Sequence, residues 1–201
     1  LILLGDPASG KDTQAKLLIS KYALKAVESG KHWRAMAKKN NAEGAWLRRT
    51  MSLGGPTPVP LMKKFLKNQI EHAPHDKNLI FVGNPRLKPE AQLLKKLLDQ
   101  QHKDFFVIFL KLPKKEIFKR AQARLSAHDR ADDSKMQYIK KRISWQDPKT
   151  SKAVKYFESL HKLKFINGNQ SIRKVYKDII KSLKGFKKVA SLRAAALYTK
   201  G

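Results

Sequence analysis

The chain has 201 residues, 41% of them hydrophobic, enough to enclose one sizeable core. It contains no cysteine, which excludes a disulfide framework and any thiolate metal site, and no apolar run approaches the ~18 residues of a membrane span. Its 44 Lys and Arg against 16 Asp and Glu leave a net charge of +28, a field that either attracts polyanions (nucleotides, RNA, acidic membrane surfaces) or marks a solvated lysine surface.

The first apolar run, Leu1 to Leu4, reads as a strand and leads into Gly5-Asp6-Pro7-Ala8-Ser9-Gly10-Lys11-Asp12-Thr13, followed by a helix from Gln14. In such a strand, loop and helix start, successive backbone N–H groups and the positive helix end surround a phosphate chain. Gly5 and Gly10 permit the close backbone path, Lys11 can bridge terminal phosphates, and the Thr13 hydroxyl can reach Mg²⁺.

Tyr22 to Val27 predicts a second strand, followed by Glu28-Ser29-Gly30-Lys31-His32-Trp33-Arg34. A helical segment bearing Trp46 and Leu47 runs to a Gly/Pro cluster, Gly54-Gly55-Pro56-Thr57-Pro58-Val59-Pro60, which sets a turn before a helix from Leu61 to Ile70. Asn78 to Val82 predicts a buried strand ending in Gly83-Asn84-Pro85-Arg86, and Pro89-Glu90 opens a helix. Phe105 to Leu112 predicts the fourth strand, and Pro113 starts a helix carrying Arg120 and Arg124. A short connection leads to Arg130-Ala131-Asp132-Asp133 and a helix bearing Arg142; Asp133 or Ser134 can also serve simply as its N-cap. Lys152 to Leu160 is expected as helix, Leu163 to Asn167 as the last strand, and Gly168-Asn169-Gln170-Ser171 as the turn into a helix over 172–183. Residues 162–201 carry eleven Lys and Arg against the single acid Asp178, so this end supplies +10.

Five apolar strands alternating with amphipathic helices argue a parallel sheet covered on both faces, with the loops at the strand C-termini gathered on one edge. Gly5 to Thr13, Ser29 to Arg34 and Gly83 to Arg86 fall on that edge. Lys11 with Arg34, Arg86, Arg120, Arg124, Arg130 and Arg142 form a cation set suited to phosphate, since arginine holds two phosphate oxygens at once.

The Gly10-Lys11-x-Thr13-Gln14 order resembles adenylate kinases, with Asp12 where they usually carry Gly. Ser29 and Arg34 match that family's acceptor stretch, while Lys31 replaces an Asp; Thr57, Pro58 and Val59 resemble its Gly-x-Val-Pro turn. Gly83, Pro85 and Arg86 match the Asp-Gly-Phe-Pro-Arg motif, with Val82 at the Asp position and Glu90 where a Gln usually reads adenine. The resemblance covers roughly residues 1–183 and is to the short-lid form, without zinc ligands.

It implies a P-loop fold: a five-stranded parallel α/β sheet with a nucleoside-monophosphate (NMP) subdomain over 28–60, a short lid over 124–133, and a basic extension over 184–201. It implies reversible phosphoryl transfer from ATP, with Mg²⁺, to an NMP, foremost AMP. Pro7, Ala8, Ser9, Gly10, Lys11, Asp12, Thr13, Arg120, Arg124 and Gln170 would face ATP. Ser29, Arg34, Thr57, Pro58, Val59, Gly83, Arg86, Glu90, Arg130 and Arg142 would face the acceptor, and Lys11, Arg86, Arg120, Arg124, Arg130 and Arg142 are the expected catalytic cations.

Val82 cannot hold metal-bound water, leaving Thr13, with Asp132 or Asp133, to position the ion. A carboxylate at 90 can accept from guanine but cannot donate to adenine N1, so a relaxed or altered base choice is expected. The alternative function is a weakened relative serving as a basic RNA- or ribosome-associated component. A cytoplasmic location is expected, with the mitochondrial matrix or another organelle as the alternative.

Overall fold

The computed structural model describes residues 1–52, 57–74, 76–126, 140 and 150–184. In chain order the elements are β1 (Ile2–Gly5), α1 (Lys11–Lys21), β2 (Leu24–Val27), α2 (Ser29–Ala37), α3 (Ala42–Ser52), α4 (Val59–Glu71), β3 (Asn78–Val82), α5 (Lys88–Gln100), β4 (Val107–Lys111) and α6 (Lys114–Ser126). They continue with helical residues 150–159 as α7, then β5 (Leu163–Asn167) and α8 (Ile172–Lys184).

Strand alternation builds two cores. Ile2 and Leu4 of β1, Leu79 and Phe81 of β3, and Val107 and Phe109 of β4 point to one face, where they meet Trp33, Leu66, Leu94 and Phe157. Leu3, Ile80, Val82, Ile108 and Leu110 point to the other, against Ala15 and Leu18 of α1 and Val175, Ile179 and Leu183 of α8. A side-chain period of two therefore fills both faces, which is why the central strands are apolar throughout. The outer strands are more polar: Lys164 and Asn167 of β5 are exposed.

The sheet is parallel, in the order β2-β3-β1-β4-β5. The connection leaving β1 heads towards β2 on one side, while that leaving β4 heads towards β5 on the other. The crevice of this sheet therefore opens at the C-terminal ends of β1 and β4, where Gly5 is in register with Leu110.

The five expected strands are present, two with their expected bounds, β1 shifted by one residue at the same length, and β2 and β4 shorter by two and three residues. One addition is α2, which the sequence reading left without a structure; with Gly30 in its second position it carries a weak local signal.

Candidate nucleotide site

At the crevice, the loop from Gly5 to Gly10 closes on itself and on β4. Asp6 N donates to Leu110 O at 3.0 Å, Leu112 N donates to Asp6 Oδ2 at 2.7 Å, and Ser9 N donates to Asp6 O at 3.1 Å. A Cβ on Gly5 would lie 2.6 Å from Ser9 Oγ and 2.8 Å from Leu110 O, so only glycine admits this path. Gly10 caps α1 in the left-handed conformation, φ +84°, and Ala8 is also left-handed, φ +59°. Lys11 folds back over the loop, its Nζ donating to Asp6 O at 3.2 Å. Asp12 sits in the first turn of α1, where the helix dipole favours a carboxylate, and Thr13 is exposed beside it.

The loop after β3 approaches from the other side. Gly83 has φ +69°, and a Cβ there would come within 3.2 Å of Lys11 Cε and 3.8 Å of Arg86 Nη2. Glycine thus lets two cations draw together. Arg86 Nε donates to Gly83 O at 2.8 Å, curling the guanidinium back over its own loop. Lys11, Gly83 and Arg86 line one cavity of about 330 Å³ with Gly5, Asp6 and Pro7. Its far wall comprises Phe109 and Phe165 from the sheet and Ile117 and Val154 from α6 and α7.

Glu90 stands at the start of α5, beside Arg86. It is 2% exposed, and its Oε2 accepts from Arg86 N at 2.9 Å and Leu87 N at 3.2 Å, capping α5. Burial pushes its carboxyl pKa up, against those two backbone donors and the Arg86 charge. The position that the resemblance matches to a base-reading Gln is also N3 of α5, and there the carboxylate accepts from the backbone of the helix start.

Ser29 opens α2 and is buried; Arg34 lies one turn on and half-buried, its guanidinium over Gly30, whose Cβ would stand 3.3 Å from Arg34 Nη1. Lys31 is exposed, 4.0 Å from Glu28. Thr57, Pro58 and Val59 lead into α4, with Pro58 as its N-cap. Arg120 ties α6 to the turn after β5: Nη1 donates to Gly168 O at 3.3 Å, Nη2 to Asn169 Oδ1 at 3.2 Å, and Nε to Glu116 Oε1 at 2.7 Å. Gln170, in that turn, donates to Asn167 O and Asp178 Oδ2.

Arg130 and Arg142, with Asp132, Asp133 and Ser134, lie outside the described residues, as do residues 127–133 of the expected lid and 185–201 of the expected extension. Arg124 lies in α6, with its side chain outside them too. The sequence reading passed over Lys111, Lys114, Thr150 and Ser151, all of which line the cavity. Lys111 was within reach of it, because it closes the strand adjacent to β1 at the edge where the loops gather.

Among the described residues no cluster of three or more His, Asp or Glu could hold a metal ion. The donor chemistry that does fit a hard cation is the exposed Thr13 hydroxyl beside a phosphate-sized loop, since Mg²⁺ takes few protein ligands and keeps its phosphate and water oxygens. No described helix is long and apolar enough to cross a membrane.

Comparison with known proteins agrees with this geometry. The family model for adenylate kinase matches residues 3–162. An adenylate kinase of Synechococcus sp. is 29% identical over 191 residues, covering 94% of this chain and 98% of its own length. Another, from Bacteroides fragilis, is 30% identical over 184 residues, covering 91% and 97%, and one from Leptospira biflexa is 28% identical with 91% and 98% covered. A match spanning four of the five strands, joined to a cavity lined by Lys11 and Arg86, assigns the chain to the adenylate kinase family.

Proposed function

We propose that the chain is a nucleoside monophosphate kinase that transfers the γ-phosphoryl group of ATP to AMP, giving two ADP. The observation that carries this reading is the shared cavity of Lys11, Gly83 and Arg86 at the C-terminal ends of β1 and β4. An oxygen of the acceptor phosphate attacks the γ-phosphorus as the bond from that phosphorus to the β–γ bridging oxygen breaks, and ADP leaves. The attacking oxygen is already ionised, so no protein base is needed; neutralisation, alignment and exclusion of water supply the catalysis.

In this reading Pro7 to Gly10 wrap the donor phosphates with their backbone, Lys11 bridges them to the transferring group, and Arg86 and Arg34 hold the acceptor phosphate. Ser29 and the turn from Thr57 to Val59 border the acceptor within residues 28–60. Arg120 and Gln170 shape the turn that meets the donor base. Arg124, Arg130 and Arg142 complete the cation set over a lid spanning 124–133, with 184–201 as a basic extension. Thr13 would hold Mg²⁺ together with the nucleotide phosphates, and the ion would neutralise charge on the transferring oxygens. Glu90 caps α5 through Oε2 and so steadies the segment that carries Arg86 towards the acceptor. Family membership does not favour the RNA- or ribosome-associated alternative.

A coupled assay of diphosphate formation from ATP, Mg²⁺ and each of AMP, GMP, CMP and UMP, with Lys11→Ala as the blank, tests the proposal. Turnover highest with AMP and lost in the blank is the expected result. Equal rates in the blank would reject it.

A further inference from the structure

Asn84 is fully buried, a polar side chain with no role in the chemistry above. Its Nδ2 donates to Val27 O at 3.1 Å, 57 residues earlier in the chain, and to Val82 O at 3.3 Å. Its Oδ1 has no protein partner. A residue kept only to fill this space would be better apolar, because a buried amide oxygen without a partner costs free energy and adds no packing. The donor end must therefore account for the amide.

Val27 is the last residue of β2, and Val27 with Phe81 is the last registered pair between β2 and β3. Past that point the Asn84 amide supplies the next link between the two chains. The peptide plane holding Val27 O continues into Glu28, the N-cap of α2, so fixing that carbonyl fixes the direction in which the chain leaves the sheet towards Ser29 and Arg34. Two residues beyond Asn84, Arg86 is fixed by its own bond to Gly83 O. One buried amide thus ties together the two segments that carry Arg34 and Arg86.

We propose that Asn84 is a positioning residue for the acceptor nucleotide, setting the spacing of Arg34 and Arg86 by bridging the ends of β2 and β3. This rests on the reading that those two arginines hold the acceptor phosphate. The loop from Gly5 to Thr13, on which donor-nucleotide binding is centred in that reading, is braced within itself and on β4 by Asp6 and not by the Asn84 bridge.

The test compares the full chain with Asn84→Asp, which keeps the shape but faces two carbonyls with a carboxylate, and Asn84→Ala, which leaves room for a bridging water. KM for AMP, KM for ATP, kcat and melting temperature are measured for each. KM for AMP is expected to rise about tenfold in Asn84→Asp and less in Asn84→Ala, with KM for ATP within about twofold of the parent. A fall in melting temperature with both KM values unchanged, equal rises in both, or failure of both variants to fold would make Asn84 a purely structural residue and overturn the inference. Should the parent show no turnover, the kinase reading fails instead. Calorimetric titration of AMP into parent and variants then decides the role of Asn84 separately, with equal affinities rejecting it.

Discussion

Lys11 opens α1, with its Nζ bonded to Asp6 O within the loop and its Cε beside Gly83. An ammonium held this way is a compact charge lining the cavity, and its removal leaves the developing phosphate charge uncompensated. Lys11→Ala is expected to lower kcat with ATP and AMP by roughly 10²–10³-fold, read in the coupled assay. Glu90 makes a prediction of a different kind. Its carboxyl has a raised pKa because burial outweighs two backbone donors, so the folded state binds its proton more tightly than the unfolded chain. That contribution to stability is fully present below the ordinary carboxyl value of 4.5 and is lost as pH rises through the raised value. Glu90→Gln keeps an acceptor for Arg86 N and Leu87 N without a buried charge. It should match or exceed the parent by up to about 1 kcal/mol at pH 7, with the difference closing towards acid, as thermal melts across pH would show.

The elements that build the site differ in how plainly the sequence announces them. The loop before α1 is readable from spacing alone, because Gly5, Gly10 and Lys11 follow a four-residue apolar run and each has a backbone or charge reason to stand there. The turn after β3 is less so: Gly83 reads as a loop residue, and glycine is required there by its left-handed backbone, φ +69°, to which a lysine side chain arriving from 72 residues earlier adds a close contact. Gly83→Ala would combine a left-handed backbone with a contact at 3.2 Å on Lys11 Cε. A loss of roughly 1–2 kcal/mol in stability is expected, with a lowered kcat as Lys11 is displaced, measured by urea unfolding alongside the assay. Arg120 acts at the same scale, joining α6 to the turn at Gly168 and Asn169. Arg120→Ala is expected to raise KM for ATP by about tenfold, with a smaller change in KM for AMP.

Across the whole molecule, the sheet transmits local damage to the site because both cores share its strands. Phe81, 1% exposed near the C-terminal end of β3, packs into the core that also contains Trp33 of α2 and Leu94 of α5. Phe81→Ala should cost about 3–5 kcal/mol, seen as a lower melting temperature. Saturating ATP at a hundred times its dissociation constant should raise parent stability by about 2.7 kcal/mol, and Lys11→Ala should lose most of that gain. At this scale the sequence by itself determined the parallel α/β class, the loop from Gly5 to Thr13, and the strand ends that carry Gly83 and Arg86. Apolar runs, glycine spacing and alternation are local signals and survive without the fold. Only the tertiary structure decided that Glu90 caps α5, that Lys111 and Lys114 join the cavity, and that Asn84 reaches Val27. Each depends on residues brought together by the strand order β2-β3-β1-β4-β5, and a side chain's partner across such a crossover leaves no periodic trace in the sequence around it.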